Sequence, residues 1–202
     1  MGVPSLSVML HEVIKLLYYA KCKDVTFLRI GTCGGIGLQP GTTVITETVV
    51  DGLLRPYLEM PVLGQIVRRP AKLDPTLVEE LKSIAEQQLP QIPVTVGKTL
   101  CTQDFYEGQG RLDGAFCCYT EREKTEYLHH LKHVGIINIE MESLAFAAIC
   151  NYCNLRGAVM CVSILDRLQG DQIQANKATL EDWQRRPQEV AASFIKSRLA
   201  KS

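Results

Sequence analysis

Asn138-Ile139-Glu140-Met141-Glu142-Ser143 lies between an apolar run, Val134 to Ile139, and a helix-forming run, Ser143 to Cys153. A strand that ends in two carboxylates, with a helix starting beside them, puts acids at the C-terminal edge of a sheet. That edge is where open α/β sheets bind ligands. Two carboxylates one residue apart on a strand point to the same side, so Glu140 and Glu142 are expected on one face. Charged groups there are costly to bury without partners. Sugar hydroxyls would suit them, because an ionised carboxylate only accepts hydrogen bonds. A plainer reading has Glu142 favouring the helix N-terminus electrostatically. The six residues by themselves leave both readings open.

Working outward, the next strong signal is Ala158 to Leu165. Its nearly unbroken apolar run marks a fully buried central strand. It ends in Asp166-Arg167, polar again at a strand end, where a mutual ion pair is the simplest expectation. Val25 to Ile30 is a further strand, expected to stop at Gly31. The stretch Arg29-Ile30-Gly31-Thr32-Cys33-Gly34-Gly35-Ile36-Gly37 then reads as a glycine-rich turn. Such glycines let backbone N–H groups converge on an anion. Arg29 offers a fork of donors for a phosphate, and Thr32 offers a hydroxyl. The glycine spacing does not fit a dinucleotide fingerprint, and Thr42 to Val50 reads as a strand where that motif needs a helix. An Arg inside an otherwise apolar strand is the sharper clue, since a partly buried guanidinium needs an acid or an anion.

Helices separate these strands. Ser5 is expected to cap the first, with Leu6, Met9, Leu10, Val13, Ile14 and Leu17 at helical spacing and His11 off the stripe. Asp51 to Arg69 reads as an irregular surface loop or flap. Asp74-Pro75 opens a helix whose buried stripe is Leu77, Val78, Leu81, Ile84 and Ala85. Val94 to Val96 is a short strand. Thr120-Glu121-Arg122-Glu123 is a capping box for a helix to about His133. His129, His130 and His133 fall on a face expected to be solvated, with no acid in register for a metal. Cys150 and Cys153 have C-x-x-C spacing at a helix's far end. A redox pair would sit at an N-terminus, so both are read as small apolar fillers. The closing helix runs from about Lys177, is interrupted near Pro187 and continues to about Leu199, with Trp183, Val190, Phe194 and Ile195 inward.

Between the short strand and the capping box lies Thr102 to Gly114, rich in turn formers, polar groups and aromatics and without a clear period. Binding loops look like this. Gln109 offers an amide donor and acceptor, and Arg111 several donors two residues on. Together they suit a planar group with carbonyl and N–H edges, such as a pyrimidine, with Phe105 packed against its plane. The alternative is a surface loop with a solvated arginine.

Composition excludes other classes. With 22 Lys+Arg against 22 Asp+Glu there is no charge excess to favour nucleic acid or an anionic membrane. No apolar run reaches a membrane span. The eight cysteines are scattered and no signal peptide precedes them, so free thiols in a reducing, cytoplasmic setting are expected. At 202 residues, residues 1–202 are most simply one domain.

The motifs together identify a relationship. R-I-G-T-x-G-G-I-G at 29–37, D-F-Y-E-G-Q-G-R-L-D-G at 104–114, N-I-E-M-E-S at 138–143, D-R at 166–167 and G-V-P-S at 2–5 fall in order. In this the chain resembles the uridine phosphorylases of the nucleoside phosphorylase superfamily, most closely the animal ones. The resemblance implies a three-layer α/β/α domain around a central mixed, partly barrel-like sheet. It implies reversible phosphorolysis of uridine, and of deoxyuridine as a further substrate, to uracil and ribose 1-phosphate. Inorganic phosphate is then a co-substrate, no cofactor or metal is needed, and the working unit is a homodimer. By the resemblance Arg29 and Thr32 bind phosphate. Gln109, Arg111 and Phe105 hold the uracil, which Ile164 and Leu165 wall in, and Glu140, Met141 and Glu142 surround the ribose. Arg111, Gln109 and Glu142 would carry the catalysis. Family chains begin well before the residue matching Met1, so this one corresponds to roughly the C-terminal two thirds of the family domain, lacking its N-terminal strands. A gapped sheet and an incomplete phosphate site are expected. Asp166 stands where many uridine phosphorylases have asparagine and near where purine-specific relatives use an aspartate for the base. Two alternatives follow: a catalytically inactive truncated form that partners full-length subunits, and a purine nucleoside phosphorylase.

Overall fold

Five strands close into a ring in the computed structural model, which describes residues 1–200. In chain order the elements are α1 (Gly2–Tyr19), β1 (Thr26–Gly35), β2 (Thr43–Val50), β3 (Tyr57–Val62), β4 (Gln65–Pro70), α2 (Pro75–Gln88) and β5 (Val94–Cys101). A single 3₁₀ turn (Glu107–Gln109), α3 (Glu121–His133), β6 (Ile136–Glu140), α4 (Ser143–Tyr152), β7 (Arg156–Asp166) and α5 (Lys177–Leu199) complete it. The ring runs β1-β6-β5-β2-β7 and back to β1. β1 is parallel to β7 and antiparallel to β6, β2 is parallel to β5 and antiparallel to β7, and β5 is parallel to β6. The sheet is therefore mixed and barrel-like as expected, and the ring closes rather than standing open; the closure is narrow, since β1 meets β6 only through Gly34 and Gly35 and residues 26–33 pair with β7 alone.

Helices cover the ring on opposite sides. Leu6 and Leu10 of α1 join the apolar α4 against Val44, Val159 and Cys161. α2 and α5 pack together over Ile45, Ala158 and Met160, through Leu77, Leu81, Val190 and Phe194. α3 lays Leu128 and Leu131 on Leu100, Ile136 and Ile139. Leu77 and Leu81 are fully buried, so truncating either to alanine costs about 2–5 kcal/mol. A polar ladder crosses the sheet as well: Thr46 and Thr99 hydroxyls lie 2.7 Å apart and Thr99 donates to Asn138 Oδ1 at 2.8 Å, all three buried. Buried hydrogen bonds of this kind favour one register, although the Asn138 Nδ2 at the end of the ladder is buried without a partner among the described residues.

Local chemistry accounts for the boundaries. Asp74 accepts from the Leu77 N–H at 3.0 Å with Pro75 at the first helical position. Thr120 and Glu123 close the capping box reciprocally. Several elements differ from the reading of the sequence. Ser5 is inside α1, which begins at Gly2 with no side-chain cap. Residues 51–69 are not a loop throughout but carry the β3–β4 hairpin. Its two-residue turn, Leu63-Gly64, has φ of 49° and 78°, the left-handed pair a tight hairpin needs. Leu63 is a poor advertisement for that turn, which hides it in the sequence. β5 extends to Cys101 rather than ending at Val96, because its far half pairs with both β2 and β6. α5 runs through Pro187 without a break. Proline removes one N–H and crowds the preceding turn, yet Pro187 is buried where the helix packs. Ile195 of that helix is exposed, and Pro187, Val190, Ala191 and Phe194 form its inner face.

Candidate active site

The largest difference from expectation lies in β1. Its glycines do not form a turn; the strand continues to Gly35, with one register shift at Cys33/Gly34. What the glycines provide is clearance. A Cβ on Gly31 would meet the Arg29 guanidinium at 3.0 Å, and one on Gly34 would meet Arg167 Cγ and Cδ at 3.0 Å. Two side-chain-free positions on one strand thus leave room for two arginines, the partly buried Arg29 and the fully buried Arg167, one at each end of a cleft.

That cleft has a volume of about 750 Å³. Arg29, Thr32, Phe105, Gln109, Arg111, Glu140, Met141, Glu142, Ile164 and Leu165 all line it. Residues 29 and 142, or 32 and 111, are far apart in sequence. β1, the end of β6, the end of β7 and the 102–114 loop bring them together.

At one end Arg29, its side chain 12% exposed, reaches Glu140 at 2.9 Å through Nη2 and pairs with Glu142 through the same nitrogen. Nη1 donates to Cys161 Sγ at 3.0 Å. Burial opposes the Arg29 charge, and the Cys161 sulfur and both carboxylates outweigh it, so the guanidinium is held charged more firmly than usual. The two acids are not equivalent. β6 ends at Glu140, so Glu142 is not on the strand as the alternation rule requires; it is the residue before α4. Glu140 turns back onto the start of that helix. It accepts from the Glu142 N–H at 2.9 Å, from the Ser143 N–H at 2.9 and 3.1 Å, and from the Ser143 hydroxyl. The helix-start role that sequence offered to Glu142 belongs to Glu140, whose acceptor capacity is filled. Glu142 has no capping bond; besides Arg29 it accepts only from the Gly2 N–H among the described bonds.

At the other end the 3₁₀ turn closes on Gly110, at φ 63°, which a side chain would resist. Arg111 follows. Its Nε and Nη2 grip Asp113 at 2.9 and 2.6 Å, Nη2 also donates to the Asp171 carbonyl at 2.9 Å, and Phe105 lies with its ring centroid 4.4 Å from Cζ. The bidentate hydrogen bonds from Arg111 hold the Asp113 carboxyl below its usual range. Gln109 and Arg111 are 6% and 7% exposed, so the arginine is not solvated, although residues 103–108 of the loop are exposed.

Arg167 is the residue of the cleft that sequence reasoning did not assign. It is 2% exposed. Its Nη2 donates to the Gln109 carbonyl at 2.8 Å and its Nε to Asp171 at 3.0 Å. The expected Asp166–Arg167 ion pair is absent: Asp166 Oδ1 accepts from the backbone N–H of Gly37 at 2.8 Å and of Leu168 at 3.0 Å. Asp166 lines an adjoining cavity with Gly37 and Trp183, which shares Ile164, Leu165, Asp171 and Gln172 with the cleft. The signal for Arg167 was present, as an arginine directly after an apolar strand with an aspartate four residues on. His129, His130 and His133 are all exposed on α3, and among the described residues no group of three metal-ligating side chains is gathered. Cys150 is buried as a filler should be, but Cys153 is exposed, and both are free thiols. None of the described helices is long and apolar enough to cross a membrane.

The family model for the phosphorylase superfamily matches residues 1–196. Uridine phosphorylase 1 of Mus musculus is 51% identical over 202 residues, covering 100% of this chain and 65% of the mouse protein. Uridine phosphorylase 2 of Homo sapiens is 51% identical over 199 residues, covering 98% of this chain and 62% of the human one. The crystal structure of uridine phosphorylase from Schistosoma mansoni in complex with 5-fluorouracil superposes with a TM-score of 0.95 at 42% identity, covering 99% of this chain and 70% of that one. The chain thus spans 62–65% of the length of the mouse and human relatives. With a family model matched from Met1 into α5 and a neighbour of nearly identical topology, this chain belongs to the phosphorylase superfamily.

Proposed function

We propose that the chain carries out reversible phosphorolysis of uridine to uracil and ribose 1-phosphate. The observation that carries this reading is one cleft with a carboxylate-paired arginine at one end and a Gln109/Arg111 pair, backed by Phe105, at the other. Phosphate would sit on Arg29 and Thr32, ribose against Met141 and Glu142, and the base between Phe105, Ile164 and Leu165. The phosphate oxygen attacks C1′ and the bond from C1′ to the base nitrogen breaks. Positive charge develops on the sugar and negative charge on the departing uracil. Arg111 and Gln109 would stabilise that anion as fixed donors at the base end of the cleft. Glu142 would hold a ribose hydroxyl. The rate gain then comes from positioning and electrostatics, with no covalent intermediate on the protein. Inorganic phosphate is the co-substrate and no resident cofactor takes part. The working unit is a homodimer in the cytoplasm.

A purine nucleoside is the less supported substrate, because the amide of Gln109 and the donors of Arg111 suit a pyrimidine edge, while Asp166 already spends Oδ1 on the Gly37 and Leu168 N–H groups. The deciding experiment is phosphate-dependent release of uracil from uridine by the purified chain, with inosine and an Arg111→Ala control alongside. Turnover of uridine that needs phosphate and is lost in the control supports the reading. A folded chain that releases no uracil, or prefers inosine, sinks it.

A further inference from the structure

The connection from β7 to α5 crosses the base end of the cleft and contributes Asp171, Gln172 and Ile173 to its lining. It has no secondary structure of its own between Arg167 and Asn176 apart from turns. What fastens it is Asp171. Its Oδ1 accepts from Arg167 Nε at 3.0 Å, its Oδ2 from Lys124 Nζ at 2.6 Å, and its backbone carbonyl from Arg111 Nη2 at 2.9 Å. Side-chain exposures of 1% for Arg167, 9% for Asp171 and 11% for Lys124 describe a buried ionic triad. Gln172 adds a bond to Asp113 at 2.7 Å, so the carboxylate gripping Arg111 is tied to the same segment.

An arginine this buried needs a compensating charge, and its planar donors are useful only if the plane is held. For Arg167 the Gln109 carbonyl orients one nitrogen and Asp171 supplies the charge. Lys124 comes from α3, which contributes no residue to the cleft, and so anchors the carboxylate from outside. Burial works against the charge of Asp171, and the hydrogen bond from Lys124 with the charge of Arg167 outweighs it, keeping the carboxyl below its usual range. The side chain is therefore ionised at neutral pH, as this role demands.

We infer that Asp171 is a positioning residue of the base subsite: anchored by Lys124, it holds Arg167 in plane and, through its backbone carbonyl, Arg111. This rests on the functional reading above for its kinetic consequence but not for its structural one, and the test separates the two. Selective ¹⁵N spectra of the arginine side chains should show a slowly exchanging Arg167 Nε–H in the wild-type chain. In Asp171→Asn that signal should broaden or vanish while the backbone spectrum stays native. In the same variant KM for uridine should rise about tenfold or more, the size expected for losing a charge-assisted hydrogen bond, with KM for phosphate within about twofold. A merely structural role would lower the active fraction and leave both KM values where they were. If Asp171→Asn does not fold, Lys124→Met is read the same way, and Lys124→Arg should restore the signal. An Arg167 Nε–H unchanged in a folded variant overturns the inference, as does an unchanged KM for uridine. Should the wild-type chain turn over no uridine, the functional reading falls and the Nε–H signal alone decides for or against Asp171.

Discussion

Arg29 on β1 and Glu142 at the start of α4 are ion-paired inside the cleft, and Glu140 stands 2.9 Å from the same guanidinium nitrogen. Glu140 is saturated by the first N–H groups and hydroxyl of α4, so it cannot turn away. Glu142 can. On the proposed reading, a phosphate arriving at Arg29 would compete with Glu142, and the displaced carboxylate would be free to accept from a ribose hydroxyl, so that filling the anion subsite and arming the sugar subsite would be one event.

Glu142→Gln separates these two roles. The amide no longer competes as an anion, so phosphate should bind several-fold more tightly, by the loss of roughly 1 kcal/mol of ion pairing. The ribose contact is weakened, so kcat should fall about tenfold to a hundredfold. Calorimetric titration of phosphate and steady-state kinetics of uridine test the two halves. Weaker phosphate binding in the variant would show that Glu142 assists the anion rather than competing with it.

Removing the arginine is a different matter. Arg29→Met leaves Glu140 and Glu142 facing each other in a largely buried site. Breaking a buried pair by deleting one partner costs about 3–5 kcal/mol. The unfolding free energy from urea titration should drop by that amount, as a lower midpoint with an unchanged slope. The double variant Arg29→Met with Glu142→Gln should recover part of the loss, because one of the orphaned charges is gone. No recovery would mean that the loss arises from packing and not from charge.

How much of this was legible beforehand follows from the type of interaction involved. Helices α2 and α3 announced themselves through local chemistry, Asp74 with Pro75 and Thr120 with Glu123, because caps act within four residues. The apolar run ending at Leu165 was legible because burial on both faces leaves an unbroken pattern, whereas Glu140 and Glu142 meet the same arginine without sharing a strand, so alternation was the wrong ground for bringing them together. The extent of β1 was not. Glycine ordinarily ends a strand, and nothing near Gly31 or Gly34 shows that the atoms needing the space belong to Arg29 folded back over its own strand and to Arg167 on another. The division of labour between Glu140 and Glu142, and the pairing of Arg167 with Asp171 rather than Asp166, depend on hydrogen bonds chosen among several nearby acceptors. Only the folded geometry chooses. The β3–β4 hairpin was missed because its turn uses Leu63 at positive φ, a residue whose preferences argue against it.

Acid stability offers an independent check on the packing. Burial pushes the Asp74 carboxyl up, but the hydrogen bonds from Arg156 and the Leu77 N–H outweigh it, and the net direction is down. A carboxyl with a depressed folded pKa stabilises above its unfolded value, and that contribution is lost as pH falls through the folded one. The unfolded value is about 3.9. The stabilisation from Asp74 is thus fully present at neutral pH and fades below about pH 4. Asp74→Asn keeps the helix cap and removes the ion pair with Arg156. It should be less stable than wild type at pH 7, with the difference closing towards pH 2–3. A gap that stays constant with pH would assign the effect to the cap instead.

Thiol reactivity should follow exposure. Cys22, Cys118 and Cys153 are exposed, while Cys33, Cys101, Cys150 and Cys161 are buried. Burial, with Cys153 beside it, pushes the Cys150 thiol up to about 12, so it is neither accessible nor ionised. Brief alkylation of the native chain at pH 8, followed by peptide mass mapping, should modify the exposed three and spare Cys150. Modification of Cys150 at the rate of Cys153, or a disulfide between them, would restore the redox reading of that spacing.

Asp166 is the last test, because it separates a residue's place in a motif from its place in the fold. An aspartate in the base pocket would draw purines, since its carboxylate accepts from ring N–H groups. Here Oδ1 ties the end of β7 to the Gly37 N–H after β1 and to the Leu168 N–H two residues on. An asparagine carbonyl can accept the same two bonds. Asp166→Asn should therefore change stability by no more than about 0.5 kcal/mol, whereas Asp166→Ala leaves those donors to water and should cost about 1–2 kcal/mol. The ratio of uridine to inosine turnover should stay the same in both. A tenfold rise in that ratio for Asp166→Asn would place the carboxylate in contact with the base during turnover and reassign this residue from a tether to a determinant of specificity.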